Sequence, residues 1–128
     1  MRTVKRWLVR AVLGVVAFML LWVLSYRVIN PPTTLYMLSE KRHLGEIQRD
    51  WVDADEMAPV MLRAVVAAED ANFCLHMGFD LDAIKTAIDA GANRGASTIS
   101  QQVVKNAFLW HGRSWGRKAL EALITPVV

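Results

Sequence analysis

A single cysteine, Cys74, stands in the whole chain, so no disulfide can form within it. There is no C-x-x-C, and the three histidines, His43, His76 and His111, are dispersed. That pattern lacks the ligand spacing of a zinc site. A cysteine nucleophile needs a base beside it, and only His76 is close in sequence, so Cys74 is expected to pack rather than react. The chain also lacks internal repeats and low-complexity tracts. From Ala11 to Tyr26 it lacks formal charge altogether. That run has no polar stripe, which argues against an amphipathic core helix. Its exit, Ser25-Tyr26-Arg27-Val28-Ile29-Asn30-Pro31-Pro32, lacks a small-x-small site, which argues against a cleaved signal peptide.

What is present fits an anchor. Hydrophobic residues make up 54% of the 128 residues, and the excess is concentrated between Trp7 and Ile29. A spanning helix needs about 20 apolar residues, and arginines near its ends can snorkel to the headgroups. Trp7, Trp22 and Tyr26 suit the interfacial layers. Arg2, Lys5, Arg6 and Arg10 precede the run, while only Arg27 closely follows it. The positive-inside rule then keeps the N-terminus in the cytoplasm and puts the later residues outside. The expected organisation is a cytoplasmic N-terminus over 1–6, a transmembrane anchor over 7–29, a linker or membrane-proximal region over 30–52, and a domain over 53–128.

Pro31 and Pro32 break the anchor helix. Leu35 to Trp51 is mixed and charged, and its pattern fits either a short helix or a strand pair. Asp53-Ala54-Asp55-Glu56 reads as a helix start. Met57 to Ala68 is apolar except for Arg63 and a few small residues, a width that predicts a central, largely buried helix. Asp80 caps a further helix over Leu81 to Ala90, with Gly91 at its stop. Thr98 and Gln101 have capping-box spacing, predicting a helix from about Ile99 to Leu109. On it, Thr98, Gln101, Gln102 and Lys105 fall on one side, and Ile99, Val103, Ala107, Val104 and Phe108 on the other. The bland reading of the polar side is a solvated face. Its amides, hydroxyl and lone lysine also suit sugar hydroxyls and phosphate. A last helix is expected from Arg117 to about Val128. Arg117 and Glu121 sit there at i and i+4, a spacing that by itself fits a surface ion pair.

The stretch Ala68-Glu69-Asp70-Ala71-Asn72-Phe73-Cys74-Leu75-His76-Met77-Gly78-Phe79 organises the chemistry. It ends an apolar helical run on two adjacent carboxylates. A poorly solvated carboxylate has a raised pKa and becomes a usable acid or base near neutral pH, which singles out Glu69.

These residues resemble a known family. Glu69-Asp70-x-x-Phe73-x-x-His76-x-Gly78-Phe79-Asp80 is similar to the first signature of the peptidoglycan glycosyltransferases, glycosyltransferase family 51. Gly95-Ala96-Ser97-Thr98-Ile99-Ser100-Gln101-Gln102-x-x-Lys105-Asn106 resembles the second, and Arg117-Lys118-x-x-Glu121 the third. The likeness is strongest to monofunctional members from Gram-negative bacteria, which lack a penicillin-binding domain. The family continues with a Lys-x-x-Ile-Leu-x-x-Tyr-Leu-Asn type segment. Nothing like it follows here, so the chain reads as an N-terminal part of such a protein.

The resemblance implies an all-α fold: one transmembrane helix and an incomplete lysozyme-like glycosyltransferase lobe. It implies polymerisation of lipid II, with Glu69 as general base and Glu121 as a second essential acid. Lys105, Arg113, Arg117 and Lys118 would surround the diphosphate leaving group. Ser97, Thr98, Gln101 and Gln102 would line sugar subsites. Asp70, Phe73, His76 and Gly78 are expected to give structural support. A divalent cation, Mg or Mn, at the diphosphate fits the pattern; no organic cofactor does. Expected partners are lipid II, the growing glycan chain, the inner membrane and other cell-wall synthesis or division proteins, not nucleic acid. Two other readings stand beside this one. A lysozyme-like peptidoglycan hydrolase also uses a glutamate in an α lobe, but would not call for four cations. A non-catalytic, membrane-anchored fragment would only bind partners or lipid II.

Overall fold

The computed structural model describes residues 2–91 and 95–128. The described residues are helical and contain no strand. They divide into an N-terminal unit reaching Pro32 and a second unit from Thr33 to Pro126.

The first unit is helix α1, Arg2–Ser25. At 1.5 Å per residue it is about 36 Å long, enough for a hydrocarbon core of about 30 Å. It is the one helix among the described residues long and apolar enough to cross a membrane. It starts earlier than the expected span and ends at Ser25, before Pro31. Ser25 Oγ donates to Trp22 O at 2.7 Å, and turns then carry the chain out of the helix. Phe18, Trp22 and Tyr26 stack along one side, with successive centroids 6.4 Å apart.

The second unit holds α2 (Leu35–Leu44), α3 (Pro59–Glu69), α4 (Leu81–Asp89), α5 (Ile99–Phe108) and α6 (Trp115–Ile124), with 3₁₀ turns at Phe73–Leu75 and Thr125–Val127. The ambiguous segment after the anchor resolves as α2, whose N-cap Thr34 accepts from Met37 N at 3.1 Å. Its packing on α5, and that of α5 on α6, are the firm helix contacts. Val104, Phe108, Leu109, Ile124 and Thr125 are buried there, Val104 completely.

Three expectations need correction. The acidic run 53–56 does not start a helix. Trp51 Nε1 donates to Asp53 Oδ1 at 2.9 Å, and the run forms a turn. Helix α3 begins at Pro59 instead, because proline's fixed φ suits the first helical position and its missing N–H would be unpaired there anyway. Nor is α3 buried: Val60, Met61, Leu62 and Val65 are exposed, since no described element covers its apolar width. Finally, α6 starts at Trp115, where Ser114 Oγ accepts from Arg117 N, and tightens into a 3₁₀ turn after Ile124.

The caps of α4 and α5 fall where predicted. Asp80 Oδ1 accepts from Ala83 N at 2.8 Å, and its other oxygen accepts from Asn72 Nδ2 at 2.9 Å. The Ala83 N–H, then Asn72, hold the Asp80 carboxyl below its ordinary range. A lowered folded pKa means the stabilisation is fully present above an unfolded aspartate's pKa of about 3.9. It is lost as pH falls through the lower folded value. The melting temperature should therefore fall from pH 5 to pH 2, and Asp80→Asn should flatten that slope. Identical slopes in a thermal melt series would exclude Asp80 as a contributor.

Candidate active site

Helix α3 ends between the two adjacent acids. Glu69 is its last residue and faces solvent, while Asp70 caps it, donates its N–H to Val66 O, and turns inward. The buried Asp70 carboxylate then acts as a hub. Its Oδ1 lies 2.9 Å from His76 Nε2, and its Oδ2 accepts from Ile99 N at 3.0 Å. His76 Nδ1 accepts from the Gly78 N–H at 3.2 Å, which directs the Nε2 proton to Asp70. An anion at the start of α5 satisfies a free N–H and matches the helix dipole.

The same loop is tied to α5 a second time. Thr98 Oγ1 donates to Gly78 O at 2.7 Å. Gly78 has φ +91, and a Cβ there would come 2.8 Å from Thr125 Cγ2, so only glycine fits between the loop and the turn after α6. The capping box completes the junction: Gln101 Oε1 accepts from Thr98 N, and Thr98 Oγ1 accepts from Gln101 N. Gln102, one residue further on, donates from Nε2 to Glu69 Oε2 at 2.8 Å. The acid of the first signature and an amide of the second therefore meet across 33 residues.

Beside this contact lies a cleft of about 440 Å³, lined by Glu69, Asp70, Asn72, Asp80 and Gly95 to Thr98, among others. Ser97 and Thr98 are among its lining residues. Gln101 is not; it is buried in the capping box with Val104 and Phe108, while Val103 is exposed. The two faces of α5 are thus turned relative to the expected ones. Glu69 also departs from expectation: it is exposed, so α3 does not supply the desolvation assumed for it. Phe73 is partly exposed, edge-on to the His76 ring at 6.3 Å. Cys74 is exposed and does not pack.

The candidate cations lie away from the lining of that cleft. The Lys105 ammonium sits over the Tyr36 ring of α2, 5.9 Å from its centroid. Gln102 and Lys105 stand at i and i+3, so both occupy neighbouring positions on the surface of α5. Arg113 is exposed on the α5–α6 loop. Arg117 is buried, donating from Nη1 to Glu121 Oε2 at 2.9 Å and from Nε to Gly112 O at 2.8 Å. Lys118 bonds the other oxygen of Glu121. The Arg117–Glu121 pair is therefore buried, not the surface pair its spacing allowed.

Asp70, His76 and Asp80 bring their ligand atoms within 4.8 Å of one another. All four carboxylate oxygens, however, already face N–H donors, from His76, Ile99, Ala83 and Asn72. Those positive ends repel a cation. Glu121 has a cationic group on each oxygen. Neither set as arranged fits Mg or Mn.

Sequence reasoning did not single out Tyr36 or Glu40. They stand at i and i+4 on α2, a signal visible only once that segment is known to be helical. Glu40 Oε1 meets His111 Nδ1 at 2.7 Å.

The all-helical fold is the one the resemblance implied, and within it the acid of the first signature meets an amide of the second. Residues 37–128 match the family model for transglycosylases, and the chain belongs to that family. It is similar to the biosynthetic peptidoglycan transglycosylase of Jannaschia sp. (strain CCS1), at 63% identity over 127 residues, 99% of this chain and 53% of the relative. It is 48% identical over 136 residues to that of Xanthomonas campestris pv. campestris (strain B100), covering 96% of this chain and 54% of the relative. The protein of the same name from Pseudomonas putida is 45% identical over 98% of this chain and 58% of the relative. The chain thus spans about half the length of the curated relatives it matches. No solved structure matches it.

Proposed function

We propose that the chain carries the reacting face of a peptidoglycan glycosyltransferase that polymerises lipid II. The observation that supports this best is the Gln102–Glu69 contact, which holds a carboxylate on the wall of a polar cleft that also offers Asn72, Thr86, Ser97 and the carboxylates of Asp70, Asp80 and Asp82. In this reading Glu69 takes the proton from the 4-hydroxyl of the acceptor N-acetylglucosamine. That oxygen attacks the anomeric carbon of the donor N-acetylmuramic acid. The bond to the polyprenyl diphosphate breaks with inversion, and Lys105 and Arg113 stabilise the departing charge. Arg117 and Lys118 support that positive field, with Glu121 holding both. Ser97 and Gln102 contact sugar, while Thr98, buried in the capping box with its hydroxyl bonded to Gly78 O and Gln101 N, fixes the wall they stand on.

The test is incubation with labelled lipid II. Polymer on a gel supports transfer. Release of short sugars from preformed glycan, without polymer, would replace it with hydrolysis.

The reading includes an inner-membrane, single-pass topology in a Gram-negative cell, with the N-terminus cytoplasmic and the second unit periplasmic. A substrate on a lipid is confined to a leaflet, so an anchored enzyme searches in two dimensions. Growing glycan and other cell-wall synthesis or division proteins are its proposed partners. A reporter active only in the periplasm, fused after Leu35, should give full signal. A cytoplasmic signal would reverse the topology.

A further inference from the structure

We propose that Glu40 and His111 form a positioning pair that, with Tyr36, sets the two leaving-group cations Lys105 and Arg113. The proposal rests on the glycosyl-transfer reading above. Tyr36 and Glu40 lie one turn apart on α2 and face the same way. The Tyr36 ring takes the Lys105 ammonium at 5.9 Å, within cation–π range. It also stacks against the His111 ring at 5.1 Å, and Glu40 Oε1 contacts His111 Nδ1 at 2.7 Å. One helix therefore holds both a cation of α5 and the loop between α5 and α6.

That loop carries Arg113 two residues after His111. Its middle residue, Gly112, has φ +114 and gives its carbonyl to Arg117 Nε at 2.8 Å. The His111-Gly112-Arg113 segment is thus clamped from α2 on one side and α6 on the other. The Arg113 side chain stays exposed while its backbone is fixed. The charged and titratable groups around His111 are Glu40 and His43 of α2, Lys105 of α5 and Arg113 of the loop. Glu40 is the acid among them. It anchors the loop through its contact with the His111 ring, beside the Lys105 and Arg113 cations that suit a dianionic ligand.

The test uses the whole chain in detergent micelles, with farnesyl diphosphate as the probe and its Kd read by calorimetry. Glu40→Gln and His111→Gln should each weaken binding about three- to fivefold, the scale of one side-chain hydrogen bond. The swap Glu40→His with His111→Glu should return to within twofold of the parent. Tyr36→Phe should keep affinity and Tyr36→Leu lose it, since the ring is what the ammonium meets. In an Arg113→Ala background, Glu40→Gln should cause a smaller loss, because only the Lys105 part remains; a merely structural role would cause the same loss in both backgrounds and overturn the proposal. If Lys105→Ala and Arg113→Ala weaken binding but Glu40→Gln and His111→Gln do not, the positioning pair alone falls. If none of the four changes the Kd, or the parent does not bind, the leaving-group reading falls and takes the pair with it.

Discussion

If Glu69 is the base proposed above, Glu69→Gln should lower polymerisation of labelled lipid II by about 10²–10⁴-fold, the range for a placed proton acceptor, while the melting temperature should stay close to that of the parent. The expectation follows from what the substitution keeps. The amide has the shape of the carboxylate, and its carbonyl can still accept from Gln102 Nε2, the 2.8 Å contact that braces Glu69. Glu69 is exposed, and exposed substitutions of this kind usually change stability by less than about 0.5 kcal/mol. Only the capacity to take a proton disappears. Water exclusion around Glu69 does not come from α3, so bound sugar filling the 440 Å³ cleft has to provide it. A variant that polymerises within tenfold of the parent, equally folded, removes Glu69 from the chemistry.

The parts of this site that could be read from the sequence are those governed by neighbours in the chain. A capping box needs a hydroxyl and an amide three residues apart, and Thr98 and Gln101 form one. Asp80 caps α4 for the same local reason. Gly78 follows from a turn with positive φ. Burial is a different matter, because it depends on which surfaces meet. Met57 to Ala68 looked like core by composition, yet α3 is exposed among the described residues. Gln101 looked like a sugar ligand because it is polar. Its polarity is used on the cap of its own helix, which leaves its stem free to lie inside beside Val104 and Phe108. Gln102 and Gln101 are chemically alike, and only the tertiary register decides that Gln102 reaches Glu69. The α2 cluster was hidden for a related reason. Tyr36, Glu40 and His43 share a face only if the segment is a helix, and its mixed charges did not decide that.

The second large effect is expected at Glu121. Its side chain is 3% exposed and carries Arg117 on one oxygen and Lys118 on the other. The arrangement opposes the local preferences of α6. Arg117 sits in the first turn, where the helix dipole favours an anion, and Glu121 sits in the last turn, where it favours a cation. Helix energetics therefore do not account for the pair, and its burial has to be explained by what it holds. Glu121→Ala leaves the Arg117 guanidinium buried without its carboxylate and should cost about 3–5 kcal/mol in a denaturant melt. Glu121→Gln, which still offers one acceptor, should cost less. Replacing both partners, as Arg117→Met with Glu121→Met, removes the unpaired charge and should restore most of the stability, since apolar pairs of similar volume often match or exceed a buried ion pair. Lipid II polymerisation should stay lost in that double variant, because the charge of Arg117 behind the leaving-group cations and the carboxylate that holds Lys118 are both gone. Polymerisation restored along with stability would make the pair a packing element only. If Glu121→Ala were neutral in the melt, the pair would instead be solvated in solution.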